Sequence, residues 1–186
     1  MKRTICILMV SACAWLAVRS ITAQTKKISS SEPSVFSPEE GDNSVFHNAP
    51  LPSDAVLDAL LKTPEARESA DELQKLRREE QRNLFRVVEV HLAKQDEVHW
   101  IVSGSGPMSG ADNDWFWVVR EKGNQAEVLL FANGLVLSTL KSRTNDYKDI
   151  ETSWSGASGP VITLLYQYDG KQYKLIHKQQ RKRQLQ

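Results

Sequence analysis

"DWFWVVREKGNQAEVLLFANGLVLSTL", residues 114–140, is the stretch whose periodicity decides how this chain folds. Its residues read with a period of two around short apolar runs, and β-branched and aromatic side chains dominate. It therefore reads as strands near 114–121, 125–132 and 134–140. Trp115 and Trp117 fall on one face of the first strand and Phe116 on the other. Asn133-Gly134 accepts the positive backbone angles of a tight turn, so it marks a hairpin between the last two.

The same period continues on both sides, with strands expected near 84–93, 97–104, 148–155, 160–168 and 171–178. Asp169-Gly170 is a second strong hairpin signal. Sequential hairpins imply antiparallel neighbours, because a parallel pair needs a long crossover. The expected architecture is α+β and mainly β: an antiparallel meander of about eight strands, closed as a small barrel or folded as two packed sheets, preceded by two short helices. A propeller is excluded, since even four blades need about sixteen strands.

Ser53 is placed to cap the first helix, in which Val56, Leu57, Leu60 and Leu61 share one face. Thr63-Pro64 ends it and starts another with Pro at the first helical position. That second helix, residues 65–82, is highly charged and carries only a thin apolar stripe of Ala66, Ala70, Leu73 and Leu76. Such a stripe belongs to a helix lying on the domain's surface.

The chain opens MKR, runs apolar over 5–18 and reaches Ser20-Ile21-Thr22-Ala23 before turning polar, the pattern of a secretory signal cleaved after Ala23. The run is shorter than the roughly 20 residues of a membrane helix. Val10-Ser11-Ala12-Cys13 offers a minor alternative, lipoprotein anchoring at Cys13, but apolar residues continue beyond it. Residues 24–52 are rich in Ser, Pro and turn formers and read as a flexible arm or linker. A single domain is expected over 53–178, helices in 53–82 and sheet in 84–178, followed by a basic tail over 179–186. Both cysteines, Cys6 and Cys13, lie in the leader, so disulfides and thiolate chemistry are excluded from the mature chain. The leader also holds Lys2, Arg3 and Arg19 and no acid, so 24 bases fall to 21 against 23 acids, a net of −2. Five of those bases lie in "KLIHKQQRKRQLQ", leaving the rest near −7, too acidic for a broad nucleic-acid surface.

The glycine-rich stretch "SGSGPMSGADNDWFW", residues 103–117, resembles a site. Gly104, Gly106 and Gly110 have the wrong spacing for a dinucleotide fingerprint, and the following acids would repel phosphate. Asp112-Asn113-Asp114 offers oxygens to calcium, but no further alternate ligands or terminal Glu follow. No G-x-S-x-G elbow and no zinc-type histidine spacing occurs. His91 and His99 fall in the first hairpin and read as strand residues. The sequence therefore implies no catalytic set, no metal and no cofactor. The candidate binding residues are Asp112, Asp114, Trp115, Trp117, Asp149 and Trp154, acids beside aromatics of the kind that form sugar- or peptide-binding platforms.

"SGPMSGADNDWFWVVREKGNQAEVLLFANG", "TNDYKDIETSWS" and "LLYQYDGKQYKL" together resemble a group of uncharacterised secreted bacterial proteins. Their shared pattern is a Gly-Ala turn before an aromatic strand, a later Asp-Ile, and a closing Tyr-x-Tyr/Phe-Asp-Gly-x-x-Tyr hairpin. The match covers roughly 87–175, and its most specific part is the hairpin from Tyr166 to Tyr173. Related sequences often carry cysteines near the Gly-Ala turn; Ser109 and Asp114 stand near those places here. The resemblance implies export and no particular activity.

The expectation is thus a non-catalytic periplasmic or secreted module that binds an envelope protein or cell-wall polymer through residues 105–114 and the neighbouring aromatics. One alternative is an inhibitor of a secreted, lysozyme-like hydrolase. The other is a carboxylate-dependent hydrolase using Asp112, Asp114 or Asp149 with His99.

Overall fold

The computed structural model describes residues 32–93, 97–111, 113–155 and 159–181. The expected signal segment, the first part of the arm, Asp112 and the end of the basic tail lie outside the described residues. Among the described residues are nine strands: β1 (Val35–Phe36), β2 (Phe85–Val90), β3 (Val98–Gly104), β4 (Asp114–Lys122), β5 (Gln125–Gly134), β6 (Val136–Thr144), β7 (Tyr147–Ser155), β8 (Val161–Tyr168) and β9 (Tyr173–Arg181). They form two antiparallel sheets, β2-β3-β4-β5 and β1-β6-β7-β8-β9. The protein is therefore mainly β, built as two packed sheets rather than a closed barrel.

The four-stranded sheet is the middle of three layers. Phe116 and Val118 of β4 pack into the space between the sheets, with Ile101, Leu137 and Ile150. Trp117 and Val119 face the other way and meet Leu57, Leu60 and Phe85 beneath the helices. Both faces of β4 are buried, which is why its apolar run is continuous from Trp115 to Val119.

The helices that cover this sheet are α1 (Asp54–Leu60), α2 (Pro64–Glu68), α3 (Ala70–Leu73) and α4 (Arg78–Asn83). Ser53 caps α1 by accepting the amide of Val56 at 3.2 Å. Thr63 caps α2, with Pro64 at its first turn. The second helix expected over 65–82 is broken into three pieces. At Ser69 the hydroxyl leaves the helix to donate to the carbonyl of Pro107 at 2.7 Å, and near 74–77 the chain bends so that Gln81 reaches back to the carbonyl of Leu73 at 2.9 Å. Bending keeps Ala66, Leu73 and Leu76 against one twisted sheet, which a straight helix of that length would leave.

Two further expectations are corrected. Asn133-Gly134 is not a hairpin turn. Gly134 still pairs with Asp114 in β5, and Val136 already pairs with Ser153 in the other sheet, so the chain changes sheets at Leu135. A side chain at Gly134 would press within 3.1 Å of the Ser153 carbonyl, so close approach, and not a positive φ, favours glycine there. The tight turns fall elsewhere: at Gly123 (φ 58°), at Asn145-Asp146 (φ 49° and 68°) and, as expected, after Asp169, with Gly170 at φ 102°. The described part of the arm is also not loose. β1 pairs with β6, and Phe36 and Phe46 are buried in the core between the sheets. Two isolated aromatics among Ser and Pro show no period, so only packing reveals their role.

Candidate functional site

The glycine-rich connection is pinned to the helical layer. Ser105 donates both its amide and its hydroxyl to the carbonyl of Leu84, at 2.8 and 3.0 Å. Gly106–Met108 forms a 3-10 turn that sinks Met108 fully into the core. A β-carbon on Gly104 would lie 1.9 Å from the Met108 carbonyl, so the crossing of chain over chain needs glycine at that point. Through residue 110 the connection plugs one end of the helix-side core.

The structure brings some of the expected binding residues together and separates others. Trp115 and Trp117 meet edge to face with centroids 6.1 Å apart, and both rings pack on Phe131 under the helices. Trp117 is wholly buried, and its indole N–H has no partner among the described residues. Asp114 begins β4 half-buried; burial pushes its carboxyl up to about 6, and the charge of Glu39 adds to the effect. Asp149 and Trp154 belong to β7 of the other sheet. They stand five residues apart, roughly 16 Å along the strand. Asp149 is buried and accepts from Gln167 Nε2 at 3.3 Å, while Trp154 packs at the border of the inter-sheet core. Asp112 lies outside the described residues.

A different constellation converges at the end of the sandwich that carries the β8–β9 hairpin. Arg120 of β4 stands opposite Glu127 of β5 and donates Nη2 to its carboxylate at 2.7 Å. Nη1 points at the hydroxyls of Tyr147 and Tyr168, at 3.3 and 3.5 Å. Tyr147 in turn donates to Glu97 Oε2 at 2.6 Å. The two tyrosine rings stack with centroids 3.9 Å apart, and Tyr173 closes on both edge to face. Bonding to Glu127 holds the Arg120 guanidinium above its ordinary range, and burial followed by the Glu97 hydrogen bond pushes the Tyr147 phenol up to about 12. Arg120 thus stays charged and Tyr147 un-ionised near neutral pH.

Arg120 and Glu97 form the shared wall of two open clefts. One, of about 320 Å³, is lined further by Lys122, Gln125 and Glu127. The other, of about 290 Å³, is lined by Asn145, Tyr147, Tyr168 and Gly170. His99 lies just behind, fully buried. Its Nδ1 is 3.1 Å from the Glu97 carbonyl and must carry the proton, because a carbonyl only accepts. Nε2 is then a bare lone pair with no hydrogen-bond partner among the described residues, and burial holds the imidazole below its ordinary range.

No protein-family model, curated protein or solved structure matches this chain. Among the described residues no group of three or more His, Cys, Asp or Glu is placed to hold a metal ion, and no helix is long and apolar enough to cross a membrane.

Arg120, Glu97, Tyr147 and Tyr168 are not among the binding residues expected from the sequence, although Tyr168 lies in the Tyr166–Tyr173 hairpin. One local signal pointed there: a turn at Gly123-Asn124 sets Arg120 opposite Glu127. The remaining contacts join residues 27, 48 and 50 positions apart and have no local signature.

Proposed function

We propose that this is an exported, non-catalytic protein-binding module whose contact surface is the polar end of the sandwich around Arg120. The observation that carries this reading is a guanidinium held from behind by Glu127 and two tyrosine hydroxyls while it walls two clefts open to solvent. An arginine already fixed by internal bonds loses little side-chain freedom when a partner docks, and Arg and Tyr are the residue types that most often dominate interface energetics. Binding is favoured over hydrolysis because the nearest imidazole, His99, is sealed from solvent, and because Asp114 and Asp149 belong to different sheets. Export rests on the leader-like first 23 residues and on the resemblance to secreted bacterial proteins.

The test is site-directed photo-cross-linking in the exporting cell. A benzophenone side chain at Gln125, in the cleft wall, should yield a discrete cross-linked species that disappears in Arg120→Gln. The same probe at the exposed Glu72 of α3 should not yield it. Equal products from both positions, or none from Gln125, would remove the basis for this surface.

A further inference from the structure

The second cleft ends at Gly170, in the hairpin that leads into β9. We propose that β9 is the docking edge for an acidic, extended segment of a partner protein, added as a sixth strand to the five-stranded sheet. This rests on the reading of the protein as a binding module and names the chemistry of what it binds.

β9 is an edge strand, bonded to β8 on one side and to no strand on the other among the described residues. Its nine residues offer roughly 30 Å of unpaired backbone donors and acceptors. The opposite edge of the sheet, β1, is only two residues long. Every residue of β9 after Tyr173 is exposed. Leu175 and Ile176, consecutive in the chain, are each 51 % exposed, and Ile176 is the residue that the register shift against β8 leaves without a partner in the ladder. Lysines on an edge by themselves discourage indiscriminate pairing. Two exposed large aliphatic residues do the reverse, and the combination selects a strand that brings both apolar contact and opposite charge.

The charge is one-sided. From Lys171 to the end of the chain there is no Asp or Glu, while Lys174, Lys178 and Arg181 lie on β9 itself. Lys178 and Arg181 have no ion-pair partner among the described residues. A second copy of the chain would set one cationic strand against another, so the occupant is a partner with acids at alternate positions, which stand on the face of β9 that Lys174 and Arg181 share once the register shift is counted.

The experiment is fluorescence anisotropy on the protein purified after export, with four labelled nine-residue probes: Glu alternating with Val, Lys alternating with Val, and two forms of the Glu peptide N-methylated at alternate residues, one in each register. The Glu peptide should bind at least tenfold more tightly than the Lys peptide, more weakly as salt rises, and one N-methylated register should lose binding while the other keeps it. The double variant Lys174→Glu/Arg181→Glu, which reverses the two cations on one face, should lose at least tenfold with an unchanged melting temperature. Equal binding of Glu and Lys peptides, no binding of either, or indifference to both methylation registers overturns the proposal. So does a peptide-free protein that sediments as a dimer with β9 protected from exchange, since the occupant would then be a second copy. Loss of Glu-peptide binding in Arg120→Gln but not in the β9 double variant would place the peptide in the clefts, sinking the edge while leaving the binding reading in place.

Discussion

Tyr147 donates its hydroxyl to Glu97 Oε2 at 2.6 Å, joining the start of β7 to the segment that enters β3 in the other sheet. The Tyr147 hydroxyl oxygen itself accepts from Arg120 Nη1. Tyr147→Phe keeps the ring stack on Tyr168 but strips a partner from both charged groups. The expected cost is about 1.5–3 kcal/mol, the usual worth of hydrogen bonds to charged groups. Urea unfolding should show a lower midpoint with an unchanged m-value. In the intact protein the same tyrosine should stay un-ionised until about pH 12, visible as a late step in phenolate absorbance that the variant lacks.

His99 makes stability fall on mild acidification. Burial lowers its folded pKa, so below about pH 6.5 the unfolded chain takes up a proton that the folded one resists. The contribution is flat above that value and grows unfavourable as pH drops toward the lower folded value, at no more than about 1.4 kcal/mol per pH unit. His99→Phe keeps a ring against Tyr147 and should flatten this part of the stability curve between pH 7 and 5. A variant with the same slope as the parent protein would contradict the assignment.

Asp114 acts with the opposite sign. Its folded carboxyl titrates at about 6 against an ordinary 3.8, so the folded state binds the extra proton in that window and gains stability as pH falls through it. At pH 7.5 the ionised group is a net liability, on the order of 1–2 kcal/mol once solvent screening of this half-buried carboxylate is discounted. Asp114→Asn should therefore be more stable than the parent at pH 7.5 and equal to it near pH 4. Thermal unfolding at the two pH values decides.

Gly104 and Gly123 separate two reasons for glycine. Gly104→Ala places a methyl against the Met108 carbonyl and should cost about 1–3 kcal/mol or more, because backbone must shift. Gly123 has φ 58° and nothing within 4 Å, so Gly123→Ala should cost only about 1–2 kcal/mol from the left-handed conformation. Gly123→Asn, which tolerates that region, should recover much of this, whereas Gly104→Asn should not.

Much of the local structure was legible from residue order. Ser53 and Thr63-Pro64 mark helix starts because the cap bonds lie within three residues of the capping side chain. The hairpin after Asp169 was readable because its carboxylate accepts from Lys171 and Gln172 within the turn itself. The same logic failed at Asn133-Gly134, where a turn-forming dipeptide sits at a junction between sheets. Nothing within four residues distinguishes a strand that folds back on its neighbour from one that leaves for another layer.

Alternation of side chains determined that this protein is built of strands, since a period of two is a property of each strand alone, and the short connections between them made those strands antiparallel. Only the tertiary structure decided which sheet each strand joined, that Phe36 and Phe46 of the arm belong to the core, and that Glu97, Arg120, Tyr147 and Tyr168 meet at one end. The physical reason is range. Propensity and capping act over a few residues, whereas the choice of packing partner is made by burial and charge pairing between segments tens of residues apart, which residue order leaves open until the chain closes on itself.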